Sequence, residues 1–194
     1  MGVREACDSV ILAGGRADRM GGRDKPGLEA GGATLLERVA AAAPGRIVVV
    51  GPERDRPRAL YVREDPPGAG PVPALRAGLA EVGEPWTALL AGDLPFLRPE
   101  RIDALRAAAE EGAGAVLLDA GGREQWLLGV WRTEVLRTAL GGYSGGSLRG
   151  LLGPLRPVPV PPAGEQDLTA FDCDTPEQLA RARELLGAAR RRDR

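Results

Sequence analysis

Between Leu12 and Lys25 the chain reads Leu-Ala-Gly-Gly-Arg-Ala-Asp-Arg-Met-Gly-Gly-Arg-Asp-Lys, so an apolar run stops at paired glycines and gives way to three arginines and a lysine. Glycine tolerates positive φ and lets a ligand approach the backbone closely. Successive backbone amides can form a concave anion site, and Arg19 and Lys25 add the positive charge that a polyphosphate requires. The segment therefore predicts a loop that wraps a nucleoside triphosphate, with Leu12, Ala13, Gly14 and Gly15 along its backbone wall. The plainer alternative is a basic surface turn between a strand and a helix. Two familiar phosphate loops are excluded. Lys25 is followed by Pro26 rather than Ser or Thr, and Arg16 stands where a second glycine of G-x-G-x-x-G would fall.

Three further segments carry carboxylates. In Thr87–Leu97 an apolar run ends at Gly92-Asp93-Leu94-Pro95, and a carboxylate at that strand end can hold Mg²⁺ against a triphosphate. The alternative there is an Asx-turn or a helix cap. Arg63–Pro71 contains Asp65 ahead of a Gly-Pro pair, and its carboxylate could accept from a base edge or from ribose hydroxyls. A solvated turn residue is the alternative. Near the end, Phe171-Asp172-Cys173-Asp174-Thr175 places two carboxylates two residues apart, at alternate positions of a strand. They are expected to point to opposite faces, so that at most one, Asp174, reaches the metal, unless Asp174 simply caps the final helix.

The chain contains no histidine. That removes Ser-His and Cys-His nucleophiles, histidine bases and histidine-ligated metals. The remaining chemistry rests on carboxylates, lysine, arginine and backbone dipoles, which suits a hard cation such as Mg²⁺.

The elements that must position these groups alternate. Strands are predicted at Ser9–Leu12, Arg46–Val50, Ala59–Val62, Thr87–Leu90, Ala113–Leu118 and Trp126–Trp131. The run Ile47-Val48-Val49-Val50 is continuous and β-branched, as in a strand covered on both faces. Between them, Thr34-Leu35-Leu36-Glu37 forms a capping box opening a helix to about Ala43. Helices follow over Pro73–Val82, Pro99–Glu111, Thr133–Leu140 and Ser147–Leu152. A last one is capped at Thr175-Pro176-Glu177-Gln178, with Leu179, Ala182, Leu185 and Leu186 on one stripe. Gly141–Gly146 and the proline-rich Arg156–Gly164 read as loose. The pattern predicts a single α/β domain over residues 1–194. Its architecture is a Rossmann-like three-layer sandwich, a mostly parallel sheet with helices on both faces. Ligands of such sheets bind beyond the carboxyl ends of the strands, where the opening loop and Asp93 both fall.

With 194 residues, 43% hydrophobic and 27% charged, the chain has the composition of a soluble globular domain. A net charge of −1 provides no global field for nucleic acid or an anionic membrane. The basic Arg190–Arg194 tail reads as a solvated helix end. Cys7 and Cys173 cannot form a zinc site alone and indicate no disulfide framework. No signal-peptide pattern or membrane-length apolar run is present, so a cytoplasmic protein is expected, a monomer or weak homo-oligomer.

The combination Leu-Ala-Gly-Gly, Arg19-Met20-Gly21 and Asp24-Lys25 closely resembles the signature loop of molybdenum cofactor guanylyltransferases, members of the nucleotidyltransferase superfamily. The resemblance follows the whole chain in motif order, and its most specific part is Leu12–Lys25. It implies a Mg²⁺-dependent enzyme that moves GMP from GTP onto the phosphate of molybdenum-molybdopterin and releases pyrophosphate. Arg19, Lys25 and Asp93 would be catalytic. Leu12, Ala13, Gly14, Gly15, Lys25, Asp65 and Asp93 would contact the nucleotide, and Asp93 and Asp174 the metal. An anionic phosphate nucleophile needs no strong base, consistent with a chain lacking histidine. Gly14-Gly15 looks more like the guanylyl than the cytidylyl branch. Three positions depart from the family pattern. Gly51 stands where asparagine is usual, Trp126 where proline follows the polar residue, and Asp174 where asparagine is usual. The alternatives are a cytidylyl- or guanylyltransferase for another phosphorylated acceptor, or a non-catalytic nucleotide-binding module.

Overall fold

The structure, a computed structural model, describes residues 6–14 and 24–192. Gly15 and Arg19, both assigned to the phosphate loop, lie outside the described residues. In chain order the elements are β1 (Cys7–Leu12), β2 (Glu29–Ala30), β3 (Ala33–Thr34), α1 (Leu35–Ala42), β4 (Ile47–Val50), β5 (Leu60–Val62), α2 (Pro71–Leu79), β6 (Trp86–Ala91), α3 (Pro99–Ala109), β7 (Gly114–Leu118), β8 (Glu124–Arg132), α4 (Thr133–Gly141), α5 (Leu148–Leu152), β9 (Val158–Val160) and α6 (Pro176–Arg192). Short 3₁₀ turns occupy Lys25–Gly27 and Gly153–Leu155.

Seven strands form one sheet in the order β5-β4-β1-β6-β8-β7-β9, in which β8 alone runs antiparallel to its neighbours. Period-two alternation assigns the two faces. Ile11, Val49, Ala88 and Leu90 pack with Leu36 and Val39 of α1 and with Ile102 and Leu105 of α3. Their chain neighbours Val10, Val48, Val50 and Leu89 turn to the other face. There they meet Leu75 and Leu79 of α2, Leu136 of α4 and Leu151 of α5. Each of these valines, leucines and isoleucines, when fully withdrawn from water, contributes about 1.5–3 kcal/mol. The expected three-layer sandwich with a mostly parallel sheet is observed. Among the described residues no helix is long and apolar enough to cross a membrane.

Local chemistry explains the ends of the elements. The Thr34 hydroxyl accepts from the Glu37 amide at 3.1 Å, and the Glu37 carboxylate accepts from the Thr34 amide at 2.8 Å, which completes the capping box of α1. The same exchange joins Thr175 and Gln178 at α6, so Thr175 rather than Asp174 caps that helix. Helix α2 begins at Pro71, two residues before the expected start, because proline is suited to the first helical position after the non-helical Gly70. Two features differ from the sequence expectation. The β2–β3 hairpin turns through Gly31 and Gly32 at φ 62° and 77°, a pair of positive angles suited to a two-residue turn. The stretch expected to be loose contains β9, which pairs with β7 alone. Pro159 is tolerated there because an edge strand has one side without a ladder partner.

Candidate active site

Four parallel strands deliver their carboxyl ends to one rim. The ladder runs one step past the strands: the Ala13 amide donates to the Val50 carbonyl at 2.9 Å, Gly92 to Leu12 at 3.0 Å and Gly51 to Val62 at 2.9 Å. The strand ends approach so closely that a Cβ on Gly51 would lie 2.9 Å from the Ala13 oxygen. The position is filled by backbone, so a side chain there would need the strand ends to move apart.

Above this rim lies a cavity of about 770 Å³. Leu12, Ala13 and Gly14 form one part of its wall, Asp24 and Lys25 another, and Gly92 and Asp93 a third. A second cavity of about 540 Å³ adjoins it, lined by Glu124, Gln125, Trp126, Arg149, Asp172 and Asp174 among others. Pro71, Ala91, Asp93 and Leu127 line both. Asp93 is therefore the charged group at the junction.

Lys25 joins the two carboxylates on which the sequence analysis placed the metal. Its ammonium forms ion pairs with Asp93 Oδ2 and with Asp174 Oδ1, from a side chain that is 16% exposed. Burial opposes the charged lysine, but the charges and hydrogen bonds of Asp93 and Asp174 outweigh it and raise the Lys25 pKa. Nearby Asp172 is pushed up by burial, then by repulsion from Asp174 and Asp93. Residues two apart in an extended chain share a face, and the structure places both Asp172 and Asp174 in the wall of the second cavity. The 171–174 segment is irregular rather than a strand.

This constellation fits a hard divalent cation. Oxygens of Asp93 and Asp174 already converge on one positive charge. Asp93 Oδ1 is buried without a hydrogen-bond partner among the described residues, and an orphaned buried acceptor calls for an ion or donor. No group of three or more His, Cys, Asp or Glu among the described residues is arranged around a single metal position. Two carboxylates with remaining positions left to phosphate and water is the coordination style of Mg²⁺.

Asp65 does not enter either cavity wall. It is exposed, whereas its neighbour Glu64 is buried, lines the first cavity and accepts from the Gly68 amide at 2.8 Å. The loop after β5 thus turns the preceding carboxylate inward. Sequence reading also missed the role of β8. Val116 pairs with Gly129 while the next residue, Leu117, pairs with Gln125, so β8 bows outward over Trp126–Leu128. Such bulges re-aim side chains beside ligand sites, and all three bowed residues line the second cavity. The cysteines take no part: burial pushes Cys7 up to about 11 and Cys173 up to about 12, which leaves both as thiols.

A cavity at the carboxyl edge of a largely parallel sheet, walled by Lys25 and Asp93, lies where α/β folds that bind nucleotides hold their ligands. Residues 9–160 match the MobA-like NTP transferase domain, and the chain belongs to that family. It is 30% identical over 200 residues to a protein from Natronomonas pharaonis named probable molybdenum cofactor guanylyltransferase, covering 91% of this chain and 96% of that one. A protein of the same name from Mycobacterium avium is 38% identical over 137 residues, 65% of this chain and 69% of its own. Among solved structures, the fold resembles molybdopterin-guanine dinucleotide biosynthesis protein A from Archaeoglobus fulgidus, with TM-score 0.73 and 22% identity, covering 93% and 98% of the two chains. It also resembles a Methanothermobacter nucleotidyl transferase, with TM-score 0.76 and 22% identity, covering 95% and 99%.

Proposed function

We propose that this chain transfers GMP from GTP to the terminal phosphate of molybdenum-molybdopterin and releases pyrophosphate. The observation that carries the reading is the position of Asp93, ion-paired to Lys25 and shared by two adjoining cavities. A nucleotide in the first cavity and an acceptor in the second would meet there. The names of the relatives supply the substrate pair.

The residues have separable tasks. Leu12–Gly14 line the proposed nucleotide cavity, and Glu64, from the loop after β5, completes its wall. Lys25, paired with Asp93 and Asp174 here, would turn its charge to the α-phosphate once Mg²⁺ takes that place, and Arg19, outside the described residues, belongs to the same loop. Mg²⁺, when held by Asp93 and Asp174, would offset charge on the non-bridging and leaving oxygens. The acceptor phosphate is anionic at neutral pH, so the protein's work is positioning and charge neutralisation rather than proton removal.

Calorimetry with GTP, CTP, ATP and UTP in Mg²⁺, followed by transfer of labelled GMP to molybdopterin, tests the reading. Preference for GTP with acceptor labelling is expected. Preference for CTP moves the protein to a cytidylyl activity, and absence of nucleotide binding overturns the assignment of the first cavity.

A further inference from the structure

Asp24 and Lys25 are adjacent, both line the first cavity, and their side chains pair with different parts of the chain. The Arg54 guanidinium grips the Asp24 carboxylate with both terminal nitrogens, Nη2 to Oδ1 at 2.6 Å and Nη1 to Oδ2. Lys25 meets Asp93 beyond β6 and Asp174 ahead of α6. The segment Asp24–Gly27 is thus a strap held at its first two residues by ion pairs to separate parts of the chain. Its turn is closed by hydrogen bonds from the Gly27 amide to the Asp24 carbonyl at 3.2 Å and from the Leu28 amide to the Lys25 carbonyl at 3.1 Å.

Arg54 is built for this role. Pro52, Glu53, Asp55 and Arg56 around it are exposed, yet its own side chain is only 17% exposed. Its Nε is buried without a partner among the described residues, so its hydrogen bonding is committed to Asp24. A planar fork on a carboxylate fixes orientation as well as distance, which a lysine ammonium cannot do. Gly27 makes room for the pair: a Cβ there would sit 2.3 Å from Asp24 Oδ2 and 2.8 Å from Arg54 Nη1. Three residues from two loops therefore fit together around one ion pair.

We infer that Arg54 is a positioning residue for nucleotidyl transfer: by clamping Asp24 it fixes the strap from which Lys25 reaches Asp93. It lines neither cavity and acts through Lys25. The inference rests on the transfer reading above, and its test separates the two.

The variants are Arg54→Gln, Asp24→Asn, Gly27→Ala and the exchanged pair Asp24→Arg with Arg54→Asp, with Arg181→Gln as a remote surface control. The measurements are hydrogen exchange at the Gly27 and Leu28 amides, GTP affinity, kcat at saturating GTP and the thermal midpoint. Each single change at the strap should speed exchange there and lower kcat by about ten- to a hundredfold, the scale of a misplaced catalytic group. The thermal midpoint should move little, and the exchanged pair should recover much of the lost kcat. Unchanged exchange in Arg54→Gln overturns the strap. Faster exchange with unchanged kcat and no recovery in the exchanged pair reduces the clamp to a structural tie and overturns the positioning role. If the wild-type protein transfers no GMP, the transfer reading fails by itself, and exchange and GTP affinity then decide whether Arg54 holds Lys25 in place.

Discussion

Lys25 and Asp174 are 149 residues apart in sequence, yet the ammonium of one, in the wall of the first cavity, binds the carboxylate of the other, in the wall of the second. The same ammonium binds Asp93, so one lysine bridges two carboxylates, one from the middle of the chain and one from near its end. In Lys25→Met the two aspartates lose that shared charge. Transfer should fall by about a hundred- to a thousandfold, the range for losing one preorganised charge in a water-poor site. Because two carboxylates then face one another, added Mg²⁺ should raise the thermal midpoint of the variant more than that of the wild-type protein. Equal shifts in both proteins would remove the case for a metal position between Asp93 and Asp174.

Asp93→Asn tests whether the protein is an enzyme or a nucleotide-binding module. The substitution keeps the side-chain shape and one acceptor but removes the negative charge at the junction of the cavities. It also puts an amide where Lys25 expects a carboxylate oxygen or where Oδ1 is buried and unpartnered. Transfer should fall by about two to three orders of magnitude, while calorimetry still detects nucleotide. Wild-type turnover in Asp93→Asn would place the reacting centre elsewhere.

Much of this arrangement was legible in the sequence because it depends on local pattern. The continuous Ile47–Val50 run, the capping boxes at Thr34 and Thr175, and the Gly-Asp that ends β6 each identify their element without reference to the rest of the chain. The parts that were not legible depend on long-range contact. Pro159 looks like a strand breaker until β9 is seen to occupy the sheet edge. The two-residue strands β2 and β3 are too short for alternation to register, although the paired glycines between them are a hairpin signal. Glu64 and Asp65 are chemically alike, and the turn of the backbone after β5 decides which one lines the cavity. The Asp24–Arg54 clamp joins two loops, neither of which has a period to read.

The bowed segment of β8 leads to a prediction for the acceptor. Trp126 lines the second cavity. It packs against the turn at Gly153, whose Cβ position lies 3.8 Å from the indole Cη2. A planar heterocyclic acceptor would gain contact from this aromatic wall. Trp126→Ala should therefore raise KM for the acceptor by about tenfold or more, as expected for loss of one aromatic stacking surface. GTP affinity should stay at the wild-type value. Steady-state kinetics with varied acceptor, set beside GTP calorimetry, distinguishes this from general damage, which would weaken both ligands together.

Acid stability should depend on Asp167, which lines neither cavity. Its carboxylate accepts from the Ala163 amide at 2.8 Å and the Thr169 amide at 2.9 Å, and Arg101 lies 3.3 Å away. Burial pushes its pKa up, but the Thr169 hydroxyl, the two amides and Arg101 outweigh that effect and hold it below the ordinary 3.8. A carboxylate whose folded pKa is depressed stabilises the fold fully above the unfolded value, and loses that contribution as pH falls through the folded one. In Asp167→Asn one oxygen still serves Thr169, but the amide nitrogen would oppose the Ala163 N–H and Arg101, donor against donor. The cost should be about 1–3 kcal/mol, a drop of several degrees in thermal midpoint for a chain of this size. The gap between wild type and variant should be constant from pH 8 to about 5 and shrink below 3.8 as wild-type Asp167 protonates. Thermal unfolding across that series checks the sign directly, since a gap that widened on acidification would mean Asp167 is not held as the carboxylate in the folded chain.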